Sequence, residues 1–156
     1  MRSLWMLIPA ALAAGLAASP AMAEDDACRL TLEGNDRMQF SAEALSVPAS
    51  CERVTLTLEH TGQMQANVMG HNWVLAATAD YEALAQAGMN AGLDNDYLPA
   101  DDDRVLAATE IVGGGERTSV TFETQGLAGR ELTFFCSFPG HYAAMNGTFR
   151  VGDADS

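Results

Sequence analysis

The chain has 156 residues, with 8 arginines and no lysine against 21 acidic residues, and a formal net charge of −13. Such a surface repels phosphate backbones and anionic lipid, which excludes nucleic acid and membrane surfaces as partners. The length suits one ordinary domain with a real core, and the charge favours positively charged partners.

Residues 1–23 read as an export signal. Arg2 is a short positive region, residues 4–18 form an uncharged apolar run, and Ala21-Met22-Ala23 is a small-x-small cleavage pattern. The run is shorter than the ~20 residues that span a bilayer. Cys28 lies beyond three acidic residues, too far from Ala23 for a lipoprotein anchor. Residues 24–156 are then a single exported domain with 7 arginines, 21 acids and a net charge of −14.

The first strand candidate is 29–33 (RLTLE), lying between Cys28 and Cys51. Three cysteines in an exported chain leave one over. If Cys28 and Cys51 pair, they close a loop of about 24 residues, worth about 3 kcal/mol on the chain-entropy account. Cys136 is then unpaired. Residues 54–59 alternate apolar and polar side chains strictly, as a half-buried strand does. Residues 72–77 are another strand candidate. Residues 80–87 collect helix formers, with Asp80 placed as N-cap and Gly88 as stop. Strand candidates follow at 105–112, 118–124, 131–138 and 147–151, punctuated by glycine-rich turns. In 118–124, Val120 and Phe122 share one face while Ser119, Thr121 and Glu123 share the other. Many short strands and one helix predict an all-β sandwich with a single helical insertion.

The chemistry concentrates in FFCSFPGHYAAM (134–145), spaced Cys136-x4-His141-x3-Met145. Phe138-Pro139-Gly140 turns the chain back, so that a thiolate, an imidazole and a thioether can be aimed at one point. That set suits copper. A closed zinc site wants four good donors, and calcium and magnesium want oxygen. A second imidazole must come from elsewhere. Of His60 and His71, His71 is better placed, in VMGHNW (68–73) at the entrance to an apolar strand, with Gly70 allowing close backbone approach. A Cys–His nucleophile needs an exposed thiol and an oxyanion hole, whereas Cys136 sits in an aromatic run. A buried free cysteine is the plain alternative.

Taken together, these segments resemble the azurins of the blue-copper cupredoxin family. The likeness covers nearly all of 24–156. It includes Cys28 and Cys51, GNDRMQF (34–40), NVMGHNWVL (67–75), GLDNDYL (92–98), DDDRVLA (101–107) and FFCSFPGHYAAMNGT (134–148). The resemblance implies an eight-stranded Greek-key sandwich with the helix outside it. It implies one mononuclear type 1 copper in a plane of His71, Cys136 and His141, with Met145 weakly axial and the Gly70 carbonyl opposite. It assigns backbone N–H groups of Asn72 and Phe138 to the Cys136 sulfur, and the Asn72 side chain to tie the two ligand loops together. Trp73 falls in the core and His60 beside the site without binding metal. The implied function is not enzymatic. It is a periplasmic, monomeric carrier of single electrons between Cu(I) and Cu(II). Its partners would be c-type cytochromes or a periplasmic reductase or dehydrogenase, docking briefly at an apolar patch of Met38, Met64, Met69 and Met89 around His141. Copper storage or delivery is the other function in view. Tyr142 and Ser137 depart from the small residue and the threonine usual at those positions.

Overall fold

Alternation of apolar and polar side chains marks the strands of one sheet, and its absence marks the central strands of the other. The structure, a computed structural model, describes residues 26–152, so the export signal expected at 1–23 lies outside the described residues. Its strands are β1 (Arg29–Asn35), β2 (Gln39–Phe40), β3 (Ala44–Val47), β4 (Arg53–His60), β5 (Val74–Ala77), β6 (Ala107–Ala108), β7 (Arg117–Glu123), β8 (Leu132–Phe135) and β9 (Asn146–Val151). One sheet runs β2-β1-β4-β7 and the other β3-β9-β8-β5-β6. This is the expected all-β sandwich. Nine segments stand where the resemblance implies eight strands, and β2 and β6 are two-residue pieces.

In the four-stranded sheet, Val54, Leu56 and Leu58 of β4 point into the core, and the antiparallel register sets Val54 opposite Phe122. On the other face, Thr55 pairs with Thr121 and Thr57 with Ser119 through hydroxyl bonds of 2.9 Å. In the five-stranded sheet the central strands β5 and β8 are buried on both faces, whereas β3 and β9 expose one. Leu75, Leu132 and Phe134 join the main core, while Val74, Ala76 and Phe135 face a second cluster with Leu84 and Ala85. Those last two residues belong to the helix Tyr81–Gly88, which covers this outer face. A strand buried on both sides has no reason to alternate, which explains the continuous apolar run of β5.

Trp73 centres the main core, with ring centroids 5.6 Å from Phe122, 5.9 Å from Phe149 and 6.3 Å from Phe134. Among the described residues its indole Nε1 is the one buried side-chain polar atom without a hydrogen-bond partner. Such an orphan donor costs on the order of 1–3 kcal/mol, which the burial of so large a ring offsets.

Several local expectations change. The helix includes Gly88, and Asp80 precedes it without a side-chain capping bond. Gly88 is needed for space: a Cβ there would lie 1.9 Å from the Tyr97 carbonyl oxygen. A helical turn at Ala66–Met69 and a 3-10 turn at Leu93–Asn95 were not anticipated. The strand expected over 105–112 pairs regularly only at Ala107–Ala108, because the following residues bend to serve other partners. Thr109 Oγ1 accepts the Trp73 N–H at 2.9 Å, and Val112 bridges to His71. No helix among the described residues is long and apolar enough to cross a membrane.

Cys28 and Cys51 are disulfide-bonded, with Cα atoms 5.6 Å apart. The bridge sits where β1 and β4 begin their parallel pairing, Arg29 opposite Thr55. Parallel neighbours are not joined by a tight turn, so a covalent link at that end holds the register. The Cys28→Ala/Cys51→Ala double variant should lose about 2–4 kcal/mol in urea unfolding. The natural probe is the emission of Trp73, the one tryptophan outside residues 1–23. A loss under ~1 kcal/mol would mean the strands find register without the bridge.

Candidate metal centre

His71 enters β5 through paired main-chain bonds with Val112, at 3.0 and 2.9 Å. Its Nε2 lies 2.8 Å from the Asn35 carbonyl oxygen. A carbonyl only accepts, so Nε2 carries the proton and the Nδ1 lone pair is free. That Nδ1 faces Cys136 Sγ at 3.9 Å. Gly34 makes room for the ring, since a Cβ there would sit 2.9 Å from His71 Cδ2. His60 stacks on the other side of His71, with centroids 4.4 Å apart. Both nitrogens of His60 are engaged: Nε2 donates to the Met69 carbonyl at 2.7 Å, and Nδ1 accepts the Gly62 N–H at 3.1 Å. His60 is therefore a structural neighbour with no lone pair to spare.

Cys136 follows β8 and has no solvent exposure. Its N–H donates to the Met145 carbonyl at 3.0 Å. Between them the loop folds back: the His141 N–H reaches Phe138 O at 2.9 Å, and the His141 carbonyl accepts the N–H groups of Ala144 and Met145. The turn passes through Gly140, whose φ of +83° favours glycine. His141 Nδ1 then stands 3.6 Å from Cys136 Sγ. Donor atoms of His71, Cys136 and His141 all lie within 4.8 Å of one another. The Gly70 carbonyl oxygen is 3.9 Å from the same sulfur. A Cβ on Gly70 would be 2.3 Å from Ala66 O and 2.5 Å from Ile111 Cγ2, so only glycine fits. Met145 is fully buried, with its main chain bonded to both Cys136 and His141.

Burial sets the electrostatics. It pushes the Cys136 thiol up to about 11, against the opposing pull of the Asn72 and Phe138 backbone N–H groups. Burial also brings His141 down to about 4, helped by the positive charge His71 and His60 would carry. His71 is lowered too, first by burial, with its Asn35 bond acting the other way. Near neutral pH the three donors are thus uncharged and close together. Bonds of about 2.0 Å to imidazole and 2.3 Å to thiolate, at ~120°, separate nitrogen from sulfur by about 3.7 Å. The observed 3.9 and 3.6 Å match that figure, so the donors fit one first-row metal ion. Imidazole, imidazole and thiolate together select copper.

The ligand loops are tied by side chains that continue the sheet. In the β5/β8 register Val74 faces Phe135, and carried two residues further this sets Asn72 opposite Ser137. There Asn72 Oδ1 accepts the Ser137 N–H at 2.9 Å, and Nδ2 donates to Ser137 Oγ at 2.8 Å. Ser137 Oγ in turn donates to the Asp96 carbonyl at 2.6 Å, and Asp96 Oδ1 accepts the Ile111 N–H at 2.7 Å. Asp96 and Tyr97 hold φ of 52° and 49°, left-handed values that are uncommon away from glycine. Sequence reasoning singled out Asn72 but not Asp96 or Asn35, for which composition offers no signal. The Phe138 ring lies tilted against His141 with centroids 4.6 Å apart, and Tyr97 packs edge-on against Phe138 at 5.3 Å.

Three of the four methionines expected on the surface patch are exposed: Met38 at 38%, Met64 at 44% and Met89 at 43%. Met69 is half-buried, its carbonyl occupied by His60. Val68, which the sequence reading passed over, is the most exposed large apolar residue among the described residues, at 58%. The Asp36 carboxylate accepts the N–H groups of Gln63 and Met64, joining the Met38 loop to the Met64 loop. His141 keeps only 3% of its surface exposed, although Gly140, Ala143 and Ala144 around it are exposed. The Phe138 ring tilted against it accounts for part of that cover.

A two-sheet sandwich that buries a His–Cys–His donor set defines a cupredoxin, a small copper-binding protein. The family profile described as copper binding proteins, plastocyanin/azurin family, matches residues 26–152. Azurin of Bordetella pertussis is 54% identical over 127 residues, spanning 81% of this chain and 85% of its own. Azurin of Pseudomonas aeruginosa is 46% identical over 137 residues, spanning 87% and 91%. A solved azurin (Az-iso2) from the obligate methylotroph Methylomonas sp. strain J matches with a TM-score of 0.78 at 45% identity, covering 81% of this chain and 98% of that one. The chain belongs to the plastocyanin/azurin family, and its site is that of a blue-copper electron-transfer protein.

The shifts set two pH dependences. In the metal-free protein, histidines that titrate near 6.5 when unfolded include one brought to about 4 when folded. Below the unfolded value the unfolded chain binds more protons, so stability is full above 6.5 and falls as pH drops toward 4. Urea midpoints measured on either side of that window check the sign. Copper uptake must expel the Cys136 proton, so the apparent Cu(II) affinity should rise about tenfold per pH unit above neutrality. A flat profile would mean that the thiolate exists before the metal arrives.

Proposed function

We propose that the protein is a periplasmic single-electron carrier whose one copper would be held by His71 Nδ1, Cys136 Sγ and His141 Nδ1, with Met145 and the Gly70 carbonyl as weaker neighbours. The observation that carries this reading is the convergence of three buried, uncharged donors within 4.8 Å. When bound, copper supplies a one-electron couple whose two states both accept nitrogen and sulfur donors.

The chain's own contribution is to hold the donors still. His71 is oriented through Asn35, Cys136 through the N–H groups of Asn72 and Phe138, and both loops through the Asn72–Ser137 strap. Groups in these positions set ligand orientation and tune a metal's properties. A cage supplied wholly by the protein, in a dry site, supports electron transfer over reaction with a substrate. The signal-like residues 1–23 and the disulfide support export to an oxidising compartment. The exposed Met38, Met64, Val68 and Met89 suit brief docking, and the net charge of −14 in 24–156 suits cationic partners such as c-type cytochromes. A periplasmic reductase or dehydrogenase fits the same surface, with the electron passing through the His141 edge of a monomer.

The test is the visible spectrum of the chain loaded with Cu(II). An intense thiolate-to-copper band should appear, bleach on reduction and return on oxidation; a pale protein would instead favour copper delivery. Cys136→Ser should abolish the band. Met145→Leu should keep it and shift the reduction potential, and loss of copper from that variant would overturn the weak axial role. Transfer rates to a cationic partner should fall as salt rises.

A further inference from the structure

Tyr142, directly after His141, has no part in the site described above. It is half-buried, whereas Ala143 and Ala144 beside it are exposed. Its ring packs against the second apolar cluster, formed by Val74, Ala76, Leu84, Ala85 and Phe135. That cluster lies under the helix Tyr81–Gly88 on the outer face of the five-stranded sheet. It also touches the site through the chain itself, since Phe135 precedes Cys136.

The main-chain bonds of the loop fix its shape more than its place. The His141 N–H bonds to Phe138 O, and the His141 carbonyl takes the N–H groups of Ala144 and Met145. The Asn146 side chain donates to the carbonyls of Tyr142 and Ala143, at 2.9 and 3.3 Å. Asn146 opens β9 opposite Phe135, so its side chain ties this end of the loop to the sheet, while the other partners lie within residues 138–145. The bond from Cys136 N–H to Met145 O ties its far end to β8. Its near end is Gly140, an exposed glycine with φ of +83°. Between these points, Tyr142 is the side chain that reaches outside the loop into a packed core away from the donors. Tyr142 packs there as a partly buried apolar group beside Tyr81, and its one hydrogen bond is accepted by its main-chain carbonyl.

We propose that Tyr142 is a positioning residue: its ring clamps the His141 loop to the core beneath the helix Tyr81–Gly88, so the aim of His141 at Cys136 depends on how that helix packs. This rests on His141 being a copper ligand, as proposed above. The loop is held at two places, by Phe138 against Tyr97 and by Tyr142 in the second cluster. A ring that loses few rotatable bonds on burial is an economical anchor. The helical insertion thereby acquires a part in the chemistry besides covering the sheet.

The experiment compares wild type with Y142S, Y142F, L84A and Y142S/L84A. Copper release to a competing chelator should quicken about tenfold or more in Y142S and stay within about twofold of wild type in Y142F. L84A, which loosens the cluster from the helix side, should also quicken release, and the double variant should go little beyond Y142S because both act through one contact. In the metal-free protein, NMR cross-peaks between the His141 and Phe138 rings should weaken in Y142S and persist in Y142F. Wild-type release from Y142S, failure of phenylalanine to rescue, or full additivity with L84A would each overturn the proposal. If Y142S does not fold, L84A decides alone: wild-type release with unchanged ring cross-peaks would sink the idea. Failure of the wild type to hold copper would overturn the electron-carrier reading instead, and the metal-free NMR comparison would still judge Tyr142.

Discussion

The site depends on keeping a thiol dry while two imidazoles face it. Cys136 has no exposure, His71 none and His141 3%. At that depth none of the three gains by being charged alone, and each is shifted toward its neutral form. Neutral donors can be packed close without repelling one another. Cys136 would give up its proton on binding copper, whose positive charge would offset that of the buried thiolate. The surrounding polar groups serve this arrangement without adding ionic charge: the Asn35 carbonyl, the Gly70 carbonyl, and the N–H groups of Asn72 and Phe138.

The fold supplies dryness in two layers. Trp73, Phe122, Phe134 and Phe149 fill the space between the sheets. Val74, Ala76 and Phe135 lie on the other face of the same strands under the helix. Asn72 and Ser137 extend the β5/β8 ladder by side-chain bonds where the main-chain pairing stops. The strands thus run into the ligand loops without a break in hydrogen bonding. That continuity carries the stiffness of the sheet to the donors, the condition for a centre that changes charge with little movement.

Local residue types made much of this readable. Strict alternation located β4 and β7, and cysteine parity suggested the bridge that Cys28 and Cys51 form. A run of helix formers located the insertion to within one residue at each end. The soft-donor spacing of Cys136, His141 and Met145 pointed to copper before any fold was known, because those three share one loop. Where local pattern met tertiary demand, it gave way. Residues 105–112 bend toward Trp73 and His71 and form only a two-residue strand. Gly88, which reads as a helix stop, is a point of close approach to Tyr97.

By itself the sequence determined the class of metal, the oxidised cysteine pair and most of the sheet-forming segments, though not β2 or β3, since these follow from donor chemistry, count and period. Tertiary structure alone decided which partners hold the donors. His60 and His71 stack at 4.4 Å, yet the nitrogens of His60 are taken by Met69 and Gly62 while His71 turns a free Nδ1 to the sulfur. The choice is made by the Asn35 carbonyl, 36 residues from His71 in the chain, and by a glycine that leaves room for the ring. The same holds for Asp96, which meets Ser137 across 41 residues, and for Tyr142, whose anchor lies on another strand and a helix. Such contacts join residues far apart in the chain, and no local period or composition encodes them.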